Sequence, residues 1–506
     1  MLRFSSAAGL RARAGKLRAF AIVSSIAALG CGFGLAAMGE ARADTGPCDA
    51  PQGPPQYPDK FDWNGSYMLG DLNGVRTKAQ EAGITLCSQY NAYLYDNAGG
   101  GLKRGVLAQG QLFSWIDIDL GKFTHLDLLN DTSLHAAMYS SQGRPITTRE
   151  VGSFSAVSFF EQIATNRVGA AWIERKFLDG KLSIRAGQLG IDDEFAISQT
   201  ATAFINSTFG FPSWMSAVLP GGGAVYPLEA PGARVKYTAT DAISVMAGVY
   251  AGDPAGRSNP VPQLANRYGT TFNLNGGTLW IAEAAYTTAY AKSGVDLQGT
   301  YKLGAWYDSG NRFNDQHLDS NGISLASPLS NGIPKRYTND WGVYGVIDQT
   351  ILPGEKDGSH KLSSFLRAGA SPSDRNIISY YVDGGLTYTG LIPGRPSDLI
   401  GVGAAYDRIG SSARAFDRDT RAFAAAAAIA SPTTFTMPGS PFAPVRDQEV
   451  MIEALYTVNV TQWLTVDLDV QHFFHPSGHV LATSGPDIGR VIRDTTVFGL
   501  NTQLKF

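Results

Sequence analysis

The sequence predicts an all-β fold, a transmembrane antiparallel β-barrel of about 16 strands with a short N-terminal helix. Three observations predict it. First, apolar and polar residues alternate with period two through many segments of roughly ten residues, as in strands whose two faces meet different media. Second, the connections sort by parity, long after odd-numbered segments and short after even-numbered ones, with one exception near 371–376. Third, beyond residue 38 no stretch approaches the ~18 apolar residues that a spanning helix needs. A closed barrel is the other backbone that satisfies its peptide groups in lipid, and a soluble β-rich periplasmic protein is the competing class.

Residues 1–43 read as a secretory signal peptide. Arg3, Arg11, Arg13, Lys16 and Arg18 form a basic region, 19–38 is apolar and small, and Ala41-Arg42-Ala43 offers a cleavage site before Asp44. Ala28-Leu29-Gly30-Cys31 is a loose lipoprotein match. The segment 44–68 is rich in proline and is expected to be flexible. Within 69–84, the run from Asp71 to Gly83 reads as the short helix, with Gly83 as its terminator. Cleavage leaves Cys48 and Cys87, and an oxidising compartment permits a disulfide between them. A count of two equally permits unrelated thiols.

The barrel occupies 85–506. Its strands are expected near 85–95, 111–121, 131–140, 168–178, 181–189, 230–239, 242–251, 279–290, 298–308, 340–351, 361–370, 377–389, 398–409, 448–458, 462–474 and 494–506. The last shows the pattern well. Phe498, Leu500, Leu504 and Phe506 share one face, and Gly499, Asn501, Gln503 and Lys505 share the other. Phe506 also ends the chain on an aromatic, as bacterial outer-membrane strands do when they are handed to the barrel-assembly machinery. Leu464, Val466, Leu468 and Val470 oppose Thr465, Asp467, Asp469 and Gln471 in the same way. The fourth and eighth segments are ambiguous in phase. An even strand count returns the last strand to the first and removes the edges.

The connection after the fifth strand, near 190–229, is long and is read as an inward constriction loop by analogy with sixteen-stranded porins. It contains Asp192, Asp193, Glu194, Asn206 and Trp214. The connection 410–447 is of similar length, with a short helix expected in its alanine run at 422–430.

Composition excludes several classes. A net charge of −3 supplies no basic surface for nucleic acid. No nucleotide-binding motif is present, and no cofactor is expected. Barrel-embedded hydrolases need a nucleophile with a positioned base. None of the seven histidines stands in such a motif, so an enzyme is not expected. His472, His475 and His479 have spacing open to zinc, but no acidic or cysteine partner is near them in sequence, and His475-Pro476 ends a strand. No metal is expected there. Asp192-Asp193-Glu194 is a donor set open to calcium, but a solvated or pore-facing acidic cluster is the expected reading.

Several motifs in order resemble the carbohydrate-selective porins of the OprB family. They are 70–86 with Arg76 and Gly83-Ile84; Arg185-Ala186-Gly187-Gln188 to Phe195; Ala203-Phe204-Ile205-Asn206; Phe209-Gly210; and Tyr250-Ala251-Gly252-Asp253-Pro254. The densest stretch holds Pro372-Ser373-Asp374-Arg375-Asn376, Tyr381-Val382-Asp383-Gly384-Gly385 and Gly390-Leu391-Ile392-Pro393-Gly394-Arg395. Glu453 to Tyr456 and Gln471 to Gly478 follow, so the resemblance spans roughly 69–506. Asp71-Leu72-Asn73-Gly74 and Phe473-Phe474-His475-Pro476-Ser477-Gly478 depart from the family's usual runs. The resemblance implies passive diffusion of small, glucose-like sugars across the outer membrane of a Gram-negative bacterium. The surroundings are lipid, and a monomer and a homotrimer both stay open. A general diffusion porin is the alternative.

A pore that favours sugars needs donors, acceptors and an aromatic surface without a tight trap. The expected lumen residues are Arg185, Arg234, Lys236, Lys302 and Arg367, with Asp117, Asp119, Asp467 and Asp469 as acidic counterparts. Asp192, Asp193, Glu194 and Asn206 join them from the loop. Trp214 and Trp306 are the candidate stacking aromatics, with the aromatic girdle at the membrane interface as their alternative. Arg375 and Arg395, placed in an external loop and a periplasmic turn, are read as structural.

Overall fold

A computed structural model describes residues 63, 65–430 and 443–506, apart from the pairs 289–290, 293–294, 311–312 and 356–357. The expected signal peptide, most of 44–68 and Cys48 lie outside the described residues. Cys87, buried in the first strand, is disulfide-bonded.

Sixteen strands close into one barrel, in sequence order and antiparallel throughout. They are β1 (Ile84–Gly101), β2 (Gly105–Asp119), β3 (Thr132–Gly143), β4 (Thr165–Phe177), β5 (Leu182–Leu189), β6 (Ala230–Thr240), β7 (Ile243–Ala251) and β8 (Thr278–Thr288). Then come β9 (Gly299–Asp308), β10 (Asp340–Pro353), β11 (Lys361–Ala370), β12 (Ile378–Thr389), β13 (Leu399–Ile409), β14 (Gln448–Asn459), β15 (Leu464–Phe474) and β16 (Arg493–Lys505). β1 closes on β16 in a register running from Tyr90 opposite Leu504 to Tyr95 opposite Gly499. The closed barrel sheet therefore has no unpaired edge for another chain to add to.

Burial along the strands is inverted relative to a water-soluble protein. On β15, Leu468 is 51% exposed while Asp469 and Gln471 are 2% and 0% exposed. Leu303, Val343, Leu366, Val402 and Phe498 are exposed in the same way on other strands. Such a band is costly against water at ~25 cal/mol per Å², and it is at home against acyl chains. Polar residues of the opposite phase point inward, where the external loops supply their partners.

The segment before β1 packs against the end of the last strand, where the Met68 amide donates to the Lys505 carbonyl at 2.9 Å. Helix α1 (Val75–Glu81) follows a left-handed run at Leu72, Asn73 and Gly74. Asp71 holds its start, accepting from the Thr77 amide at 2.8 Å. Arg76 lies over the Tyr67 ring at 4.1 Å and donates to the carbonyls of Gly70 and Phe506, tying the helix to the chain's last residue. Gly83, at φ 80, lets the chain turn into β1. A Cβ there would lie 2.9 Å from the Asp119 carbonyl oxygen.

Two expectations change. The connection after the first strand shrinks to residues 102–104, because β1 and β2 climb past the lipid band. The alternation fades there, since both faces meet polar surroundings and the register shifts at Asn97, Gly99 and Gly101. The helix in 410–447, α3 (Ser411–Ala430), starts well before the alanine run. Its first half is fastened by ion pairs of Asp417 with Arg446 and Asp419 with His317, each at 2.7 Å.

Candidate functional site: the third external loop and the wall it faces

The 40-residue connection 190–229 folds into the barrel and is fastened by the inner wall. Its backbone N–H groups have no ladder to join, so wall carboxylates receive them. Glu453 on β14 accepts from the amides of Ile205 (2.7 Å) and Asn206 (3.0 Å). Asp348 on β10 accepts from Ser198 Oγ (2.6 Å) and from the Gln199 and Thr200 amides. Glu283 on β8 accepts from the Ala196 amide at 2.9 Å. The loop's carbonyls are met by Arg367 on β11, which donates to the Ala196 oxygen (3.1 Å) and the Thr208 oxygen (2.7 Å) while paired with Asp383.

Apolar side chains of the loop are seated by wall glycines. A Cβ at Gly342 would lie 2.5 Å from Trp306 Nε1 and 2.8 Å from the Trp214 ring, and one at Gly369 would lie 2.4 Å from Trp214. Trp214 sits on helix α2 (Ser213–Val218), between α1 and α3 in chain order, and donates from Nε1 to Ser371 Oγ at 2.9 Å. Phe204 and Phe209 stand over Gly401 and Gly403 in the same manner.

On the opposite wall, strand register builds a charged, aromatic band. Asp117, His135 and Trp172 are direct neighbours across β2, β3 and β4. Glu174, Arg185 and Arg234 form the adjacent row across β4, β5 and β6. His135 Nδ1 is 2.7 Å from Asp117 Oδ1, and its ring stacks on Trp172 at 4.8 Å. The Arg185 guanidinium lies over the other part of that row, 3.9 Å from the Trp172 ring centre. Arg185 donates to Glu174 Oε2 at 2.8 Å and lies 3.6 Å from Glu194. Arg234 binds Glu194 through Nη2 (2.6 Å) and Nε (2.7 Å). Two arginines and two glutamates thus balance in charge, and one of the arginines, Arg185, lies over the Trp172 ring.

Asp193 is exposed next to this cluster, and Asp192 accepts from the Tyr226 amide at 2.9 Å. Burial, then the neighbouring Asp193 and Glu229, push Asp192 well above the usual carboxylate range. Burial also pushes Glu229 up to about 7, although Tyr139 donates to it at 2.6 Å.

Of the expected lumen residues, Arg185, Arg234, Asp192, Asp193 and Glu194 are brought together, with Arg234, 1% exposed, buried behind the others as their counter-charge. Lys302 stands on β9, 3.5 Å from Glu283. Four take another place. Asn206, Trp214, Trp306 and Arg367 are at most 2% exposed. Asn206 donates to Gln471 at 2.8 Å, and Trp306 packs on Trp214 with ring centres 6.2 Å apart. All four are covered where loop meets wall, Asn206 and Trp214 from the loop and Trp306 and Arg367 from the wall, so they hold the loop in place and offer no surface to a solute. Glu174, Trp172 and His135 were not singled out by the sequence. Arg185 directly opposite Glu174 was the available signal, and the uncertain phase of the fourth strand hid it. A 400 Å³ cavity opens elsewhere, among Pro220, Asp253, Asn259, Phe313, Asn314 and Arg375. Its Arg375 is engaged by Asp374 and Asn339.

Residues 103–506 match the carbohydrate-selective porin, OprB family. Porin B of Pseudomonas aeruginosa is 24% identical over 473 residues, spanning 89% of this chain and 93% of that protein. A putative porin, QuiX, of Acinetobacter baylyi is 21% identical over 467 residues, spanning 87% and 93%. The high-pH structure of Pseudomonas putida OprB shares the fold, with a TM-score of 0.72 at 24% identity over 88% of this chain and 100% of that one.

Proposed function

The chain belongs to the carbohydrate-selective porin family, OprB, and we propose that small neutral sugars diffuse through it past Arg185 and Trp172. It is a channel of the Gram-negative outer membrane and not an enzyme. The observation that carries the reading is the Arg185 guanidinium held over the Trp172 ring by Glu174 and Glu194. A sugar offers hydroxyls around an apolar ring face. The guanidinium and carboxylates of the band supply donors and acceptors for the hydroxyls, and the side chains of Trp172 and His135 supply an aromatic surface for the ring face. Because the arginines and glutamates offset each other, the band favours hydrogen-bonding solutes without trapping an ion. Asp193 adds an exposed acceptor from the loop side.

Lipid surrounds the apolar band, and the Phe506 end is the segment the assembly machinery would receive. Liposome swelling with refolded protein tests the reading. Glucose should enter faster than an amino acid of similar size, and Arg185→Ala should remove that difference. Entry ordered by size alone in the parent protein would make it a general diffusion porin.

A further inference from the structure

The sequence gives His475 and His479 no acidic neighbour, but the fold does. The loop after β15 brings both histidines against Asp447, which ends the loop before β14. One ligand atom from each of the three lies within 4.8 Å of the others. His475 Nδ1 is 3.1 Å from both Asp447 oxygens. Adjacent corners of a tetrahedral shell with zinc-like bonds of ~2.0–2.1 Å are about 3.3 Å apart. The imidazoles of His475 and His479 stack with centres 4.3 Å apart and planes 12° apart, so a side-chain rotation brings the second nitrogen into the same shell.

The backbone is fixed before any ion arrives. His475, Ser477, Gly478 and His479 all have positive φ, at 49°, 53°, 77° and 76°. This tight left-handed turn is what places two histidines four residues apart side by side. The Asp447 amide donates to the Gly478 carbonyl at 3.1 Å, which locks the third ligand's backbone to the turn. Asp494 Oδ1 accepts the His475 amide, and Glu449 accepts the Ser477 amide at 2.7 Å. His475 and Asp447 side chains are 35% and 33% exposed, open enough for an ion to enter and for water to complete the shell.

We propose that Asp447, His475 and His479 form a binding site for a divalent metal ion of the zinc class, joining two external loops at the outer rim of the barrel. Two imidazoles and a carboxylate are a donor set for such an ion with one position left to solvent. The site lies apart from the Arg185 band and does not depend on the permeation reading.

The test is calorimetric titration of the folded full-length protein in detergent with zinc chloride. Folding of each variant is verified by heat-modifiable migration. One zinc per chain is expected. His475→Asn with His479→Asn should abolish it, because asparagine tolerates left-handed backbone but lacks the imidazole. Asp447→Asn, which keeps an acceptor for the Gln448 amide, should weaken binding by roughly tenfold or more. His360→Asn, a distant exposed histidine with the same backbone hand, should leave it unchanged. If the double variant does not fold, His479→Asn alone gives the reading, with loss of binding expected. Absence of binding by the folded parent at millimolar zinc overturns the proposal. So does binding that persists undiminished in the histidine variants or in Asp447→Asn.

Discussion

Arg185 owes its value to its shape as much as to its charge. A guanidinium lies flat on an indole while its edges bind two carboxylates, and an ammonium does neither well. Arg185→Lys is therefore expected to behave almost like Arg185→Ala in sugar preference, although the net charge is kept. Swelling rates for glucose against an amino acid read this directly, and a lysine variant with unchanged preference would show that charge alone suffices. Trp214 makes the contrasting case. It is buried over Gly342 and Gly369, so Trp214→Ala should leave a cavity and cost about 3–5 kcal/mol. Its effect belongs to loop seating, and the expected readout is a lower unfolding midpoint and a larger, noisier single-channel conductance. A selective loss of sugar entry at unchanged conductance and stability would return Trp214 to the lumen.

At the scale of elements, the third external loop is held by side chains where a strand would be held by its neighbours. Glu453 fixes two successive amides, Ile205 and Asn206, and hydrogen bonds to a charged acceptor contribute about 1.5–3 kcal/mol each. Glu453→Ala should free that part of the loop and raise permeability to larger solutes, measured by swelling with a disaccharide. Unchanged size exclusion would mean that the remaining anchors suffice. The strands that supply such anchors were legible in the sequence because period two is local. Leu468 and Asp469 announce their faces within a few residues. The anchoring was not legible, because it joins distant positions. Asn206 meets Gln471 across 265 residues, and no short-range pattern records such a pair. An inward tryptophan reads the same whether water or a loop lies over it. For that reason Trp306 reads from sequence as an inward aromatic, and only the structure shows Trp214 packed against it. Where phase itself was mixed, as on β4 with the irregular pairing between Ala136 and Met138, even the face was lost, and Trp172 and Glu174 with it.

For the whole molecule, folding the external loops inward takes carboxyls out of water, and the consequence is a response to pH. Glu161 in the loop between β3 and β4, which accepts from the Thr147 amide at 2.7 Å, and Glu229 at the end of the third loop are both pushed from 4.5 up to about 7 by burial. A folded-state value above the unfolded one means that the fold favours the protonated form. The stability each group contributes is full below 4.5 and is lost as pH rises through about 7. The unfolding midpoint in denaturant should therefore fall as pH rises across that window, and less so in Glu161→Gln with Glu229→Gln. The same titration changes the charge inside the barrel. As pH falls from above 7 toward 4.5, these buried carboxyls, joined by Asp192, become neutral before ordinary surface carboxylates do. Cation preference, measured as reversal potential across a salt gradient, should then decline in that range. In the double glutamine variant it should start lower and change less. A reversal potential that stays flat across the window in the parent protein, or that changes equally in the variant, would mean that exposed carboxylates set the channel's charge and that the inward loops keep their acids as well solvated as the surface does.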